Sequence, residues 1–93
     1  MIEIYSIDCK LLSGEIDSAI FPGSDGSFQV LNNHAPIVST LTKGKIEIQG
    51  EISFHAEDSR GKYNINKEKK ATSLQIESGL VELKKNSIKV LID

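Results

Sequence analysis

One stretch of the chain decides the fold class, residues 12–36, with the sequence LSGEIDSAIFPGSDGSFQVLNNHAP. Its apolar residues alternate with polar ones, as expected of a β-strand that buries one face. Residues 22–26 interrupt the alternation with the glycine-rich sequence PGSDG, which favours a tight turn. A second alternating run then leads into Asn32 and Asn33, which tolerate left-handed backbone, and Pro36, which suits the first residue of a strand. The stretch predicts two strands, a turn between them and a shaped corner.

The same period of two continues along the chain. Apolar residues recur at even spacings in Ile2/Ile4, Ile16/Ile20, Phe28/Val30, Ile46/Ile48, Leu74/Ile76, Val81/Leu83 and Ile88/Val90/Ile92. Turn-forming pairs such as Ser13-Gly14, Gln49-Gly50 and Lys85-Asn86 separate the runs, most of them about 8–12 residues apart. We predict ten short strands over residues 2–8, 10–13, 15–21, 28–31, 37–41, 44–49, 51–56, 72–77, 80–84 and 87–92. The pattern indicates an all-β, two-sheet β-sandwich.

Residues 57–70 depart from this pattern because they are strongly charged and nearly free of apolar periodicity. We predict that they form an exposed hairpin extension of a single domain that spans residues 1–93.

Length and composition exclude several classes of protein. A chain of 93 residues has room for one hydrophobic core, and a single cysteine, Cys9, cannot form an internal disulfide. The net charge of −2 lacks the basic excess that phosphate binding requires. The apolar runs are far shorter than the roughly 18 residues of a membrane helix. We therefore expect no nucleic-acid partner and no direct membrane insertion.

The residues also offer no catalytic, metal or cofactor site. Cys9, His34 and His55 are too dispersed for ligand spacing, and no serine has a nucleophile-elbow context. The sequence Gly44-Lys45-Ile46 does not complete a phosphate-binding loop. His34, beside the Asn pair, could either stabilise the corner by a hydrogen bond or face a partner; the residues alone favour the first role.

Residue chemistry thus predicts a small sandwich that works by presenting surfaces. Two alternatives are a module that binds carbohydrate or peptide and a barrel that binds single-stranded nucleic acid. Both would favour aromatic platforms, and the chain has three Phe, two Tyr and no Trp.

The stretch over 12–36 closely resembles the N-terminal β-sandwich of the epsilon subunit of F-type ATP synthases. The shared features are a Ser-Gly pair, an alternating strand, a Gly-Ser-Asp-Gly turn, a short strand and a His-Ala-Pro corner, in this order. The resemblance resumes at Lys43-Gly44 and over residues 78–83. It covers nearly the whole chain outside residues 57–70.

The resemblance implies a non-catalytic central-stalk subunit of the F1Fo ATP synthase. Its partners would be the gamma subunit and the ring of c subunits, and its role would be to couple rotation of the c-ring to ATP synthesis. Such a subunit is peripheral and lies at the cytoplasmic face of the bacterial inner membrane.

The resemblance also implies contact residues. Asp25, Ser27 and His34 are expected on the c-ring side, and Ser6 and Ser39 near the gamma subunit. Ser27 stands where many family members have a carboxylate, and Asn32-Asn33 where a Pro-Gly pair is common. We expect Asp25 to supply the acid that position 27 lacks.

Family members commonly continue into a C-terminal helical hairpin that can restrain ATP hydrolysis and, in some, binds ATP. The sequence here ends at Asp93, where the last predicted strand finishes. The expectation is a short form with no C-terminal helical domain, no bound nucleotide and no cofactor.

Overall fold

The fold is seen in a computed structural model that describes residues 1–7, 9–31, 35–54, 66–68, 70–85 and 87–92. Nine strands lie in these residues: β1 (Ile2–Tyr5), β2 (Lys10–Gly23), β3 (Gly26–Leu31), β4 (Ile37–Leu41), β5 (Gly44–Phe54), β6 (Asn66–Glu68), β7 (Ala71–Ile76), β8 (Gly79–Lys84) and β9 (Ser87–Ile92). The predicted all-β class is confirmed.

The strands form a sandwich-like sheet in which β2 is central. The order of pairing is β1-β9-β8-β4-β2-β5-β7-β6, and both β1 and β3 also pair with β2. Pairing is antiparallel except between β1 and β9. Because β1 pairs with both β9 and β2, the strands β1, β9, β8, β4 and β2 close into a ring.

One hydrophobic core lies between the inward faces of these strands. Phe21 is its largest fully buried side chain. The core comprises Ile2, Ile4, Leu11, Leu12, Ile16, Ala19, Phe21, Val30, Leu41, Ile46, Ile48, Ile52, Leu74, Ile76, Val81, Leu83, Ile88, Val90 and Ile92. Phe28 and Ile37 pack against its margin. The alternation seen in the sequence therefore places one apolar face of the strands in a common interior.

The prediction of ten strands was wrong at two glycines. Predicted strands 10–13 and 15–21 are one strand, β2, and predicted strands 44–49 and 51–56 are one strand, β5. Gly14 and Gly50 are not turn residues, because they lie inside these strands where the two backbones approach closely. A Cβ atom on Gly14 would meet the carbonyl oxygen of Glu51, and one on Gly50 would lie 2.7 Å from the Cα of Ile16. Glycine here permits strand continuity and close packing.

A β-bulge at Asp17 corrects a second prediction. The register of β2 against β5 shifts between Ile16 and Ser18, so the phase of inward residues changes there. Ile16 is buried before the bulge, whereas Ala19 and Phe21 are buried after it. Ile20, predicted to share the buried face with Ile16, is only half-buried.

Other boundaries follow from local hydrogen bonds. The first strand ends at Tyr5 instead of residue 8, because the Ser6 N–H donates to the Cys9 carbonyl at 2.8 Å and turns the chain. Predicted strands 37–41 and 87–92 match β4 and β9. Within residues 57–70, Asn66–Glu68 form β6 against β7. The remainder of the predicted extension, apart from Lys70, lies outside the described residues, and its hairpin form stays a prediction.

The close approach at Gly50 generates a stability prediction. Gly50 has φ 149° and Gly26 has φ 121°. Of these two glycines, Gly50 has no space for a Cβ, whereas nothing lies within 4 Å of a Cβ built on Gly26. Gly26→Ala should cost about 1–3 kcal/mol through backbone strain. Gly50→Ala should cost roughly 2–6 kcal/mol, because overpacking adds to the strain.

Urea unfolding of the two variants measures this difference. Equal losses in the free energy of unfolding would contradict the packing role assigned to Gly50.

Candidate partner-binding surface

The outer face of β4, β8 and β9 carries apolar side chains that the core does not use. Leu80 pairs with Thr40 on one side and with Leu91 on the other, and Leu91 pairs with Tyr5. Leu80 is 42% exposed and Leu91 is 52% exposed. Neighbouring residues on a strand point to opposite faces. Val81 and Val90 are buried in the core, so the adjacent Leu80 and Leu91 lie on the outer face.

These residues border what we call the apolar groove, a depression of about 470 Å³. It is lined by Ile7, Thr40, Leu41, Ser78, Gly79, Leu80, Leu91 and Ile92. Ile7 extends from the turn after β1 and is 89% exposed. Exposed apolar residues scattered singly are ordinary, whereas a contiguous group around a groove is a candidate interaction site.

A charged cluster lies beside the groove on the same face. Lys10 Nζ is 2.8 Å from Glu3 Oε2, and the Tyr5 hydroxyl donates to the same carboxylate at 3.0 Å. The Lys10 ammonium also lies 5.9 Å from the centroid of the Tyr5 ring. The hydrogen bond from Lys10, and then that from Tyr5, lowers the pKa of Glu3. The same carboxylate raises the pKa of Lys10. This cluster ties β1 to the start of β2.

The turn between β2 and β3 lies at the same end of the sandwich as the groove. Its tip, Ser24 and Asp25, is exposed and connects the paired residues Gly23 and Gly26. The Ser24 N–H donates to the Thr40 carbonyl at 3.1 Å, and the two hydroxyl oxygens lie 2.8 Å apart. Thr40 lines the groove, so the turn and the groove share a residue.

The hairpin below the tip is also held in place. The rings of Phe21 and Phe28 pack with centroids 5.6 Å apart. A Cβ on Gly23 would lie 2.8 Å from the Phe28 ring, so glycine allows this ring to cover the strand. The Thr42 N–H donates to the Pro22 carbonyl at 2.8 Å. The tip is therefore presented on a packed base.

The five residues expected to contact partners fall in different environments. Asp25 and Ser27 lie together in the β2–β3 hairpin, and both are exposed. Ser6 is buried, and its hydroxyl donates to the Cys9 carbonyl at 3.3 Å. Ser39 is half-buried, and its hydroxyl donates to the Thr40 carbonyl at 3.1 Å. Ser6 and Ser39 each precede a residue that lines the groove, Ile7 and Thr40 respectively.

His34 lies outside the described residues. The nearby Pro36 comes just before β4, whereas Thr40, which holds the turn, is near the other end of that strand. Pro36 and Thr40 are four residue steps apart along the strand, a distance of about 13 Å. The described residues thus bring Asp25 and Ser27 together, and the grouping of His34 with them stays a prediction.

Sequence reasoning missed Ile7, Leu80 and Leu91. The signal was present, because strictly alternating strands do not contain the adjacent apolar residues seen in Leu80-Val81 and over residues 90–92. One member of such a run must point away from the core. An apolar residue next to a core residue on the same strand therefore points to the outer face, and this pattern would have revealed Leu80 and Leu91.

Among the described residues, no group of three His, Cys, Asp or Glu side chains could hold a metal ion. No helix in the described part of the chain is long and apolar enough to cross a membrane.

Comparison with known proteins identifies relatives by sequence. Residues 1–59 match the family model described as ATP synthase, Delta/Epsilon chain, beta-sandwich domain. The chain is 39% identical over 92 residues to an ATP synthase epsilon chain of Leptospira interrogans, covering 99% of this chain and 59% of that protein. It is 35% identical over 92 residues to an ATP synthase epsilon chain of Chlorobium limicola, covering 86% of that protein.

A solved structure supports the same fold. A chain in the central stalk and c-ring of the Tetrahymena thermophila mitochondrial ATP synthase matches with a TM-score of 0.64 and 12% identity. The match covers 98% of this chain and 60% of that chain. The present chain also spans about three fifths of the length of the Leptospira relatives it matches.

The charged cluster generates a pH prediction. Because the pKa of Glu3 is lowered from its ordinary value of 4.5, the stability that it contributes is complete above that pH. It is lost as the pH falls through the lower pKa of the folded state. The difference in Tm between the unmodified chain and Glu3→Gln should therefore be positive at pH 7 and diminish below pH 4.5.

Thermal unfolding between pH 3 and pH 7 tests this prediction. In a Lys10→Met background, Glu3→Gln should change Tm much less at pH 7, because the main cause of the shift has been removed. A difference that did not depend on pH or on Lys10 would contradict the assigned ion pair.

Proposed function

The chain belongs to the beta-sandwich family of ATP synthase delta and epsilon chains, and from this we propose that it is a non-catalytic rotor subunit. In this proposal it links the gamma subunit to the c-ring in the central stalk of an F1Fo ATP synthase and couples ring rotation to ATP synthesis. One observation carries the proposal: the apolar groove and the exposed acidic turn lie at one end of the sandwich and share Thr40.

The apolar groove is the proposed surface for the gamma subunit. Ile7, Leu80 and Leu91 would lose water-exposed apolar area on contact, which favours association by about 25 cal/mol per Å² buried. Ser6 and Ser39 would act at its border. The buried Ser6 hydroxyl would hold the turn that presents Ile7, and would not itself reach the partner.

The β2–β3 turn is the proposed contact with the c-ring. Asp25 is an exposed carboxylate at the tip, suited to a basic side chain on a polar loop of the ring. Ser27 is the second residue of β3, next to the turn. It would contribute a hydroxyl where many family members have a carboxylate. His34 is proposed as a further contact on this side, as the family resemblance implies.

The subunit would make and break no bonds in a substrate. Its proposed work is mechanical. A ring of paired strands around one packed core suits this work because densely packed cores have low compressibility. It would bind no nucleotide and would lie at the cytoplasmic face of the bacterial inner membrane, held there by its partners.

Disrupting the groove tests the proposed gamma contact. Leu80→Glu should weaken association with the gamma subunit by at least about 2 kcal/mol, roughly thirtyfold, because it places a charge in an apolar interface. Leu31→Glu is the matched control, since Leu31 is also exposed, at 54%, but lies on β3 outside the groove.

Affinity purification of tagged chains from the source cells in mild detergent provides the measurement. The unmodified chain and Leu31→Glu should retrieve the gamma subunit, and Leu80→Glu should retrieve much less. Failure of the unmodified chain to retrieve ATP synthase subunits would overturn the proposed function and favour a free-standing binding module.

Removing the acid at the turn tests the proposed ring contact. Asp25→Ala should weaken attachment to the c-ring by up to about 1 kcal/mol, the range for an exposed ion pair, and the loss should be greatest at low salt. Asp17→Ala removes an exposed acid at the bulge and serves as the control.

The salt concentration at which the ring detaches from the purified complex measures this effect. The same detachment curve for Asp25→Ala and the unmodified chain would exclude an ion pair from Asp25 to the ring.

A further inference from the structure

We propose that Ser24 and Thr40 form a clamp that positions the tip of the β2–β3 turn against the apolar groove. The inference rests on the proposed function, because the clamp matters only if the two surfaces it joins contact different partners. It assigns Ser24 and Thr40 as positioning residues for mechanical coupling.

The clamp consists of three contacts between the same two residues. The Ser24 N–H donates to the Thr40 carbonyl at 3.1 Å, and the Ser24 hydroxyl reaches the same carbonyl at 3.3 Å. The hydroxyl oxygens of Ser24 and Thr40 lie 2.8 Å apart, in hydrogen-bond range. These contacts join residues that are 16 positions apart in the sequence, so they connect two separate elements.

The clamp adds to the contacts that already hold the backbone on either side of the tip. The tip of the turn lies between Gly23 and Gly26, and Gly26 has φ 121°. Gly23 is held by its pairing with Gly26 and Leu41 and by the Phe28 ring, whereas nothing lies within 4 Å of a Cβ built on Gly26. The conformational freedom of the tip therefore lies on its Gly26 side. The contacts of Phe28 with Phe21 and of Thr42 with Pro22 hold the base of the hairpin. Ser24 is the tip residue whose described contacts reach another strand.

Thr40 connects the clamp to the apolar groove. Its side chain lies at the apolar groove, and its carbonyl and hydroxyl hold the residue next to Asp25. A lateral force on Asp25 would therefore pass through Ser24 to the strand that borders the groove. Without the clamp, the load would reach β4 only through the base of the hairpin, where Gly23 pairs with Leu41 and Thr42 donates to Pro22.

The first test separates the clamp from the fold. Ser24→Ala removes the hydroxyl contacts and keeps the N–H, whereas Ser24→Thr keeps a hydroxyl. In the isolated chain, the amide of residue 24 donates to the Thr40 carbonyl, and its hydrogen exchange should become about two- to tenfold faster in Ser24→Ala, the factor for one hydrogen bond. Ser24→Thr should restore slow exchange, and Tm should change little in either variant.

The second test measures coupling in the assembled enzyme. Membrane vesicles containing the complete synthase with each variant are assayed for ion pumping per ATP hydrolysed. Ser24→Ala should lower this ratio and Ser24→Thr should restore it. Gln29→Ala, at an exposed position of the same hairpin that is not assigned to a partner contact, serves as the control for a general surface effect.

The outcomes distinguish the clamp from the proposed function. Faster exchange at the tip with an unchanged pumping ratio would overturn the clamp, as would unchanged exchange. A ratio lowered equally by Ser24→Ala and Ser24→Thr would also overturn it. If the unmodified chain does not assemble into the synthase, the proposed function fails, and the inference fails with it.

Discussion

The close antiparallel pairing of β2 with β5 constrains the whole fold. β2 is 14 residues long and pairs with β1, β3, β4 and β5. It can hold these partners only because Gly14 and Gly50 let its backbone approach that of β5, and because the bulge at Asp17 changes which residues face inward. The single core follows from this arrangement, because the β2–β5 pairing joins β5, β7 and β6 to the ring that β2 closes.

The same constraint brings the two candidate contact surfaces together. The end of β2 pairs at Gly23 with Leu41 of β4, which places the β2–β3 turn beside the strand that borders the apolar groove. The pairing of β1 with β9 brings Tyr5 opposite Leu91, so that Ile7 reaches the same groove from the other side. The two surfaces are thus placed next to each other by the pairing of strands that are distant in sequence.

The sequence allowed the fold class to be predicted because apolar alternation is a local property. Pairs such as Ile2/Ile4 and Ile46/Ile48 are buried as expected. It misled at Gly14 and Gly50 because glycine is common both in turns and where backbones meet, and only the partner strand distinguishes the two cases. Asp17 gave no warning of a bulge, since the register depends on β5.

The candidate site was harder to predict from the sequence, because it too depends on contacts between strands that are distant in the sequence. The family resemblance suggested Asp25 and Ser27, which lie exposed on one hairpin, but it also suggested Ser6, whose side chain is buried. The groove requires Ile7, Leu80 and Leu91 to meet across three elements, and a single strand does not show this. Nor can the sequence reveal the contact between Ser24 and Thr40, since it depends on where β4 lies relative to the turn.

Electron cryomicroscopy of the synthase purified through a tagged copy of this chain tests the central claim most directly. We expect the sandwich in the central stalk, with the apolar groove covered by the gamma subunit and the Asp25 turn against the c-ring. A synthase whose stalk lacks the chain, or one in which the groove faces solvent and the turn lies away from the ring, would contradict it.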